Sequence, residues 1–247
     1  MASKNLLSVS TDAKTVKGEK IGVLTGVLYL APADVSGREV CAKRSKGCTD
    51  ACLYTAGRGA FTNVQQARIA KTNWFFDDRE SFMATLAKNI TSIATKAAKL
   101  GMVPAIRLNG TSDLPWEKMS VTINGVKHRN LMVAFPEIQF YDYSKVLGRK
   151  AAIALPNYHL TFSLAEDNDA DAFMAIEQGY NMAVVMRLKP KEAKPTMWMG
   201  YPVLDGDEND VRFYDKPKHI VALTAKGAAR KDTSGFVRDP NIIARAA

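Results

Sequence analysis

Short hydrophobic runs recur along the chain and alternate with stretches that carry a helical repeat of apolar positions. The first run, at residues 21–30, is almost continuously hydrophobic, which is typical of a strand buried on both faces of a parallel sheet. Asn124 and Gly125 lie between β-forming residues and predict a hairpin turn. Further strands are predicted at residues 102–108, 137–143, 158–164, 182–187, 201–204 and 219–224.

The clearest helical pattern begins near Asp77, which has Glu80 three residues later as in a capping box. Gly101 stands where a C-terminal glycine ends a helix. Apolar residues recur between them at intervals of three and four, which predicts one buried helix face. These residues are Phe82, Leu86, Ile90, Ile93, Ala97 and Leu100. A second helix is predicted at residues 169–178.

The alternation of strands and helices predicts an α/β protein in which right-handed crossovers join a mostly parallel sheet. Small β additions are expected near residues 118–130 and 200–224. A chain of 247 residues can form a single domain, and we expect one over residues 1–247. Residues 1–19 are polar and predict an N-terminal arm, and residues 226–247 predict a partly mobile C-terminal tail.

All three cysteines of the chain, Cys41, Cys48 and Cys52, lie in the loop after the first predicted strand. Iron–sulfur clusters are held by cysteine thiolates, usually four, so that three would leave one iron open. A zinc site would need a histidine or carboxylate as a fourth ligand. A disulfide with one spare thiol, or three unligated thiols, would also satisfy the sequence. The choice between a cluster, zinc and no metal stays open.

Basic residues surround the thiols in sequence, and positive charge favours thiolates over thiols. These residues are Arg38, Lys43, Arg44 and Lys46. A solvated loop would explain them equally well.

Polar side chains follow four of the predicted strands. The first set, with one glycine, is Asn109, Gly110, Thr111, Ser112 and Asp113. The ends of the three later strands carry Tyr141 to Lys145, Glu166 and Arg187, respectively. The carboxyl ends of parallel strands lie on one rim, where ligands bind, so we expect these residues to converge around the thiols. Turn chemistry alone would also select Asn, Gly, Ser and Asp at such positions.

The formal net charge of +9 changes this picture little. It is compatible with binding to nucleic acid or another anionic partner, but the basic residues are spread along the chain and form no block. No apolar run approaches the roughly 20 residues of a membrane span. The N-terminal residues lack a signal-peptide core, so we expect a cytoplasmic protein without a membrane partner.

Four strings in the chain resemble a bacteriophage family that is usually labelled gene product 88-like. They lie at residues 24–32, 48–61, 107–113 and 139–143, and the resemblance covers most of the chain. It implies a phage-encoded protein in the cytoplasm of the host cell and by itself names no function.

A more distant resemblance is to radical S-adenosylmethionine enzymes, whose first strand leads into a three-cysteine loop. It implies a partial (β/α) barrel of mostly parallel strands and a [4Fe–4S] cluster on Cys41, Cys48 and Cys52. The open iron would bind S-adenosylmethionine. The cofactor contacts would be Asn109, Gly110, Thr111, Ser112, Asp113, Tyr141, Glu166 and Arg187. Six and three residues separate the cysteines here, instead of the family's three and two.

Two functional hypotheses follow from these patterns. The first is a phage iron–sulfur protein that cleaves S-adenosylmethionine to generate a radical. The second is a basic phage protein that binds nucleic acid or a host protein, with a structural zinc or iron–sulfur site and no catalysis.

Overall fold

The computed structural model describes residues 5–11, 13–189 and 192–241. Its strands are β1 (Leu7–Val9), β2 (Val23–Leu28), β3 (Val103–Arg107), β4 (Val121–Ile123), β5 (Val126–His128), β6 (Gln139–Ser144), β7 (Tyr158–Ser163), β8 (Asn181–Met186), β9 (Met197–Trp198), β10 (Tyr201–Asp205) and β11 (Ile220–Thr224). Its α-helices are α1 (Ala13–Glu19), α2 (Ala33–Ser36), α3 (Lys46–Asp50), α4 (Thr62–Asp77), α5 (Arg79–Leu100), α6 (Leu131–Ala134), α7 (Lys150–Ile153) and α8 (Asp169–Glu177). Short 3₁₀ turns lie at Leu53–Thr55, Gly57–Ala60, Trp116–Lys118, Arg212–Tyr214 and Gly227–Lys231.

One large sheet organises the described part of the chain, in the order β1-β2-β3-β6-β7-β8-β11-β10-β9. Every pair from β2 to β10 is parallel, whereas β1 and β9 pair antiparallel at the two edges. The predicted α/β class with a mostly parallel sheet is therefore confirmed. From β2 to β8 the sheet strands lie side by side in chain order, without a reversal of direction.

Helix α5 covers β2 and β3, and its position follows from the sequence pattern. The side chain of Asp78 accepts a hydrogen bond from the backbone of Ser81 (3.1 Å), and Gly101 ends the helix at a φ of 64°. The predicted apolar face is buried except for Leu100, which is 52% exposed. Because a Cβ atom at Gly26 would lie 2.2 Å from Cδ1 of Ile93, only glycine lets the helix approach β2 this closely.

The opposite face of the sheet, called here the inner face, is more polar. It carries Arg107, Tyr141, Tyr143 and His159, because these residues alternate with the apolar residues that pack under the helices. The segment 207–215 covers part of this face. Within it, Val211 forms a small apolar cluster with Val23, Ala105 and Tyr141.

Residues 5–19 are not a polar arm, contrary to the sequence-based prediction. Leu6 and Leu7 are buried, and β1 adds to the edge of the sheet beside β2. Asn89 of α5 supports this edge, since its side chain accepts a hydrogen bond from the Leu6 backbone (2.7 Å). A short apolar pair inside a polar segment is too weak a pattern to predict an edge strand.

The other predicted additions also occupy definite positions. Asn124 and Gly125 form the expected turn between β4 and β5, with φ angles of 51° and 80°. The predicted addition at residues 200–224 supplies β10 and β11, which belong to the main sheet rather than to a separate unit. Residues 226–241 of the predicted mobile tail contribute buried side chains at Ala229 and Val237, while residues 242–247 lie outside the described residues.

Across the described ranges, each helix is too short or too polar to cross a lipid bilayer.

Replacement of a buried residue on α5 is expected to destabilise the protein far more than replacement of Leu100. Ile90 is fully buried, so Ile90→Ala should lower the free energy of unfolding by about 2–5 kcal/mol through lost burial and a residual cavity. Leu100→Ala, at the exposed end of the same helix, should change it by at most about 0.5 kcal/mol. Urea denaturation of the two variants measures both values, and equal losses would contradict the assigned helix face.

Candidate functional site

The three cysteines lie in a loop that leaves the carboxyl end of β2, and each has a local support. Cys41 donates from its Sγ to the carbonyl oxygen of Thr111 at 3.9 Å. Ser45 begins α3, where its side chain accepts the backbone N–H of Cys48 at 3.1 Å. Cys52 begins the following 3₁₀ turn, and its Sγ accepts the backbone N–H of Tyr54 at 3.5 Å.

Cys41, Cys48 and Cys52 lie in the same part of the structure. They lie near enough that a negative charge on Cys48 or Cys52 would raise the pKa of Cys41. Burial, with a smaller effect of Asp113, raises the pKa of Cys41 to about 12, and burial also raises that of Cys52. All three cysteines are half-buried free thiols. Cys41 and Cys52 are therefore protonated at neutral pH unless a metal replaces their protons.

No group of three or more His, Cys, Asp or Glu side chains within the described ranges is arranged to hold a single metal ion. Sulfur atoms around one zinc ion lie about 3.8 Å apart, because the site is tetrahedral with zinc–sulfur bonds of about 2.3 Å. The three thiols are therefore not arranged as a preformed zinc site requires.

Lys145, which follows β6, is a cation at the thiols that the loop sequence did not reveal. Its ammonium group is near enough for its charge to act on the pKa of Cys41 and of Cys52, and Cys48 in turn raises the pKa of Lys145. Burial lowers the pKa of Lys145, but Cys48 and Asp113 outweigh burial and leave that pKa raised. The sequence placed Lys145 among the polar strand ends that were expected around the thiols, without naming a partner for it.

The basic residues of the loop itself pair with carboxylates. Arg38 contacts Asp77, and Arg44 contacts Asp34 and Glu39. Lys46 pairs with Asp50 one helical turn away. Arg38, Arg44 and Lys46 therefore pair with carboxylates and not with the thiols, contrary to the association that the loop sequence suggested.

Glu166 fastens the cysteine loop to the carboxyl end of β7. Its carboxylate accepts hydrogen bonds from the Ser45 hydroxyl (2.6 Å) and from the backbone N–H of Gly47 (2.5 Å). Burial tends to raise the pKa of Glu166, but these hydrogen bonds outweigh it and hold the pKa below its ordinary value. A Cβ atom at Gly47 would lie 2.0 Å from Oγ of Ser234, so this close approach requires glycine.

Asn109 organises the loop after β3, and its side chain is fully used there. It is buried, and its Oδ1 accepts hydrogen bonds from Ser112, from the Leu114 backbone and from the indole of Trp116. Its Nδ2 donates to the Leu114 carbonyl oxygen at 3.0 Å. The predicted cofactor contacts Asn109 and Ser112 thus bind the protein itself.

The neighbouring residues of this loop join it to the cysteine loop. Gly110 lies against β2, where a Cβ atom would be 2.6 Å from the Leu28 carbonyl oxygen. Thr111 donates from its hydroxyl to Leu30 (2.6 Å). Asp113 donates its backbone N–H to Val40 (2.7 Å), next to Cys41. Through Thr111 and Asp113, this loop therefore lies beside Cys41 and its neighbour Val40.

Tyr141 and Arg187 belong to other networks. Tyr141 lies on the inner face, and its hydroxyl is 3.3 Å from the carboxylate of Asp210. Arg187 donates to the carbonyl oxygens of Arg230 and Asp232 in the C-terminal segment. Of the predicted contacts, Thr111, Asp113 and Glu166 meet the cysteine loop directly, whereas the side chains of Tyr141 and Arg187 bind elsewhere.

The inner face also carries a buried acid, Asp210, that was not among the predicted site residues. Asp210 pairs with Arg107 at 2.8 Å and lies within 3.4 Å of the Tyr143 hydroxyl. The guanidinium of Arg107 lies over the Tyr143 ring, 4.6 Å from its centroid. Asp205 and Asp207 of the same loop pair with Lys194 nearer the surface.

The C-terminal segment, residues 225–241, covers the cysteine loop. Its residues Ala225, Ala229 and Val237 form a small apolar cluster with Ala51 of the loop. Arg238 donates to the Ala165 carbonyl oxygen at 2.6 Å, next to Glu166. The segment therefore closes one side of the candidate site.

A protein-family model described as Gene product 88 matches residues 5–240. The chain belongs to the gene product 88 family. This result confirms the resemblance that the four sequence strings indicated. Neither the curated proteins nor the solved structures contain a match to the chain. The similarity of this gene product 88 family member to radical S-adenosylmethionine enzymes stays a hypothesis.

Replacement of Asn109 in the gene product 88 family protein tests whether this side chain is structural. Asn109→Ala would leave three buried donors without their acceptor, at a cost of about 1–3 kcal/mol for each group. We expect a large loss of unfolding free energy in metal-free protein, measured by urea denaturation. Thr111→Val, which removes a hydroxyl from the same loop, is the control and should cost less. Wild-type stability of Asn109→Ala would contradict the structural assignment.

Glu166→Gln is expected to loosen the cysteine loop at neutral pH. The hydrogen bonds that lower the pKa of Glu166 stabilise the folded state above the ordinary pKa of glutamate. This stabilisation is lost as the pH falls through the lowered pKa. Amide hydrogen exchange of residues 45–52 should therefore be faster in the variant at pH 7, and the difference should shrink below about pH 4.

Asp167→Asn serves as the control for this measurement, because Asp167 is an exposed neighbour in sequence. If residues 45–52 exchange as fast in Asp167→Asn as in Glu166→Gln, the hydrogen bonds between Glu166 and the loop are not the reason for the faster exchange.

Proposed function

We propose that the protein is an iron–sulfur protein in which Cys41, Cys48 and Cys52 hold a [4Fe–4S] cluster on a partial (β/α) barrel. S-adenosylmethionine is the proposed ligand of the open iron. The observation that carries the proposal is that all three cysteines, each a half-buried free thiol, lie in one loop at the carboxyl end of a strand in a parallel sheet.

The strand order supports the barrel part of the proposal. Strands β2, β3, β6, β7 and β8 follow one another across the sheet in chain order, as in singly wound βα folds. Helices α5 and α8 pack against the apolar strand side chains on one face of the sheet. The opposite, inner face carries the polar network at Asp210. A curved sheet would enclose that inner face.

The donor set fits a cluster better than a single ion. Each cysteine of a cluster binds a different iron, so the sulfur atoms lie farther apart than around one zinc. Three half-buried thiols near one ammonium group supply such a set, with a fourth iron left open. Bound in this way, the cluster would supply the electron that cleaves S-adenosylmethionine.

The polar residues of the rim would act through the loop in this proposal. Glu166 and Asn109 fix the backbone of the two loops that carry and face the thiols. The C-terminal segment shields the loop from water on one side. In the proposal, these residues keep the backbone of the cysteine loop in place before a metal binds, which is the role of supporting residues around a metal site.

The alternative function, binding of nucleic acid or a host protein by a basic surface, rests on the net charge of +9. It stays a prediction.

Anaerobic reconstitution with iron and sulfide tests the proposal. We expect a brown protein with about four irons and four sulfides per chain, and loss of the visible absorption in Cys41→Ser, Cys48→Ser and Cys52→Ser. Cys48→Ser has a matched control in Ala42→Ser, which adds a hydroxyl at an exposed position of the same loop and should retain the cluster of the wild type. Addition of S-adenosylmethionine should change the electron paramagnetic resonance spectrum of the reduced cluster.

A colourless protein that takes up about one zinc per chain would replace the cluster with a zinc site. An unchanged spectrum with S-adenosylmethionine would retain the cluster and reject the ligand.

A further inference from the structure

Helix α4 buries two cations that neither the cysteine loop nor the inner face uses. Arg68 and Lys71 lie three residues apart on one face of the helix, and each is only 9% exposed. Residues 51–76 contain no Asp or Glu. Among the described residues, no carboxylate acts on the charge of Arg68 or Lys71. Because buried charges in proteins are ordinarily paired, two positive charges without a carboxylate require an explanation.

The guanidinium group of Arg68 is held in place by its surroundings. Its Nη1 donates to the Tyr54 carbonyl oxygen at 2.9 Å, and the ring centroids of Tyr29 and Tyr54 lie 4.7 and 5.4 Å from its Cζ. Gly59 lets the 3₁₀ turn approach, because a Cβ atom there would lie 2.2 Å from the same carbonyl oxygen and 3.0 Å from Arg68 Nη1. No hydrogen bond from another described residue engages the fork formed by Nε and Nη2 of Arg68.

Lys71 adds a second charge next to Arg68. Its Nζ donates to the Leu6 carbonyl oxygen at 2.8 Å, a bond that orients the ammonium group without neutralising it. Burial and the charge of Arg68 lower the pKa of Lys71 to about 8, and burial lowers the pKa of Arg68 as well. An anion beside Arg68 would oppose both shifts, because an opposite charge favours the protonated form of each cation.

The chemistry of Arg68 is that of an oxyanion receptor. A planar guanidinium group that stacks on aromatic rings presents parallel N–H groups, which match two oxygen atoms of a phosphate or a carboxylate. Contacts with tyrosine rings stabilise the cation but leave its charge in place. Since so little of the side chain is exposed, the site suits a single small group better than the backbone of a polymer.

We propose that Arg68, supported by the charge of Lys71, binds an oxyanion group of a small-molecule ligand, either a phosphate or a carboxylate, beside Tyr54 at the end of the cysteine loop. None of the steps involves a metal or the three thiols, so the inference goes beyond the proposed function and does not depend on it.

The test titrates the full-length protein at pH 7 with inorganic phosphate and, separately, with acetate, at constant ionic strength. Isothermal titration calorimetry measures the affinity. The urea midpoint of unfolding is the second readout, since a ligand that binds only the folded protein stabilises it. The variants are Arg68→Gln, Arg68→Lys and Lys71→Gln. Arg79→Gln is the control, because Arg79 also lies over an aromatic ring, that of Phe75 at 4.4 Å, but is exposed.

We expect wild type to bind one of the two anions more tightly, which identifies the ligand group as phosphate or carboxylate. Arg68→Gln should weaken that binding at least about tenfold, because hydrogen bonds to a charged group are lost. Arg68→Lys keeps the charge without the planar fork and should lie between wild type and Arg68→Gln. Lys71→Gln should weaken binding less than Arg68→Gln, and Arg79→Gln should match wild type.

A wild-type protein that binds neither anion would overturn the inference, and so would folded Arg68→Gln that binds as tightly as wild type. If Arg68→Gln does not fold, Arg68→Lys decides, because unchanged affinity with lysine would mean that the planar group is not the receptor. If neither folds, unchanged affinity in Lys71→Gln has the same consequence. Anion binding by a protein that takes up no iron would support the inference while the proposed function fails, and an iron-loaded protein without anion affinity would give the reverse.

Discussion

The geometry of the candidate site depends on the hydrogen bonds between the Glu166 carboxylate and the start of α3. Glu166 follows β7, whereas the cysteine loop follows β2, and two strands lie between them in the sheet. The carboxylate spans this distance by binding Ser45 and Gly47, the latter 119 residues earlier in the chain. A charged acceptor that binds two donors is stronger than a neutral one, so a single side chain can hold a loop that has little core of its own.

The rim of the sheet shows how polar strand ends can build a site without touching its ligand. Asn109 and Glu166 spend their hydrogen-bonding capacity on the loops, and Arg187 does the same with the C-terminal segment. The three half-buried thiols have no such role in the support of the loops beyond their bonds to Thr111 and Tyr54. A metal site of this kind depends on the rigidity of its surroundings, because the ligands must be held in place before the metal binds.

Two buried ion pairs lie on either side of the sheet and explain how its polar residues are accommodated. Arg107 pairs with Asp210 on the inner face, and Arg149 pairs with Glu117 beneath the loop after β3. Buried charges require partners, and each arginine finds its carboxylate on a different segment of the chain. The first pair joins the inner-face segment 207–215 to β3. The second joins the loop after β3 to the segment that follows β6.

The sequence by itself determined the local elements. The parallel strands, the buried face of α5, its end at Gly101 and the turn at Asn124 all follow from periodicity and residue preference over short windows. The family and the clustering of three cysteines in one loop are also legible from the residues alone. These features were predictable because each depends on neighbours within a few residues.

Only the tertiary structure decided which polar residues meet. The position of strand ends led us to expect Glu166 and Lys145 near the thiols, but it did not identify Ser45 and Gly47 as the partners of Glu166 or Asp210 as the partner of Arg107, because charge and turn preference leave the partner undefined. The Arg107–Asp210 pair spans 103 residues, and residues 7–9 become a strand only because β2 offers an open edge. Pairings of this kind are determined only when the whole sheet assembles, because each buried donor and charge then requires a partner.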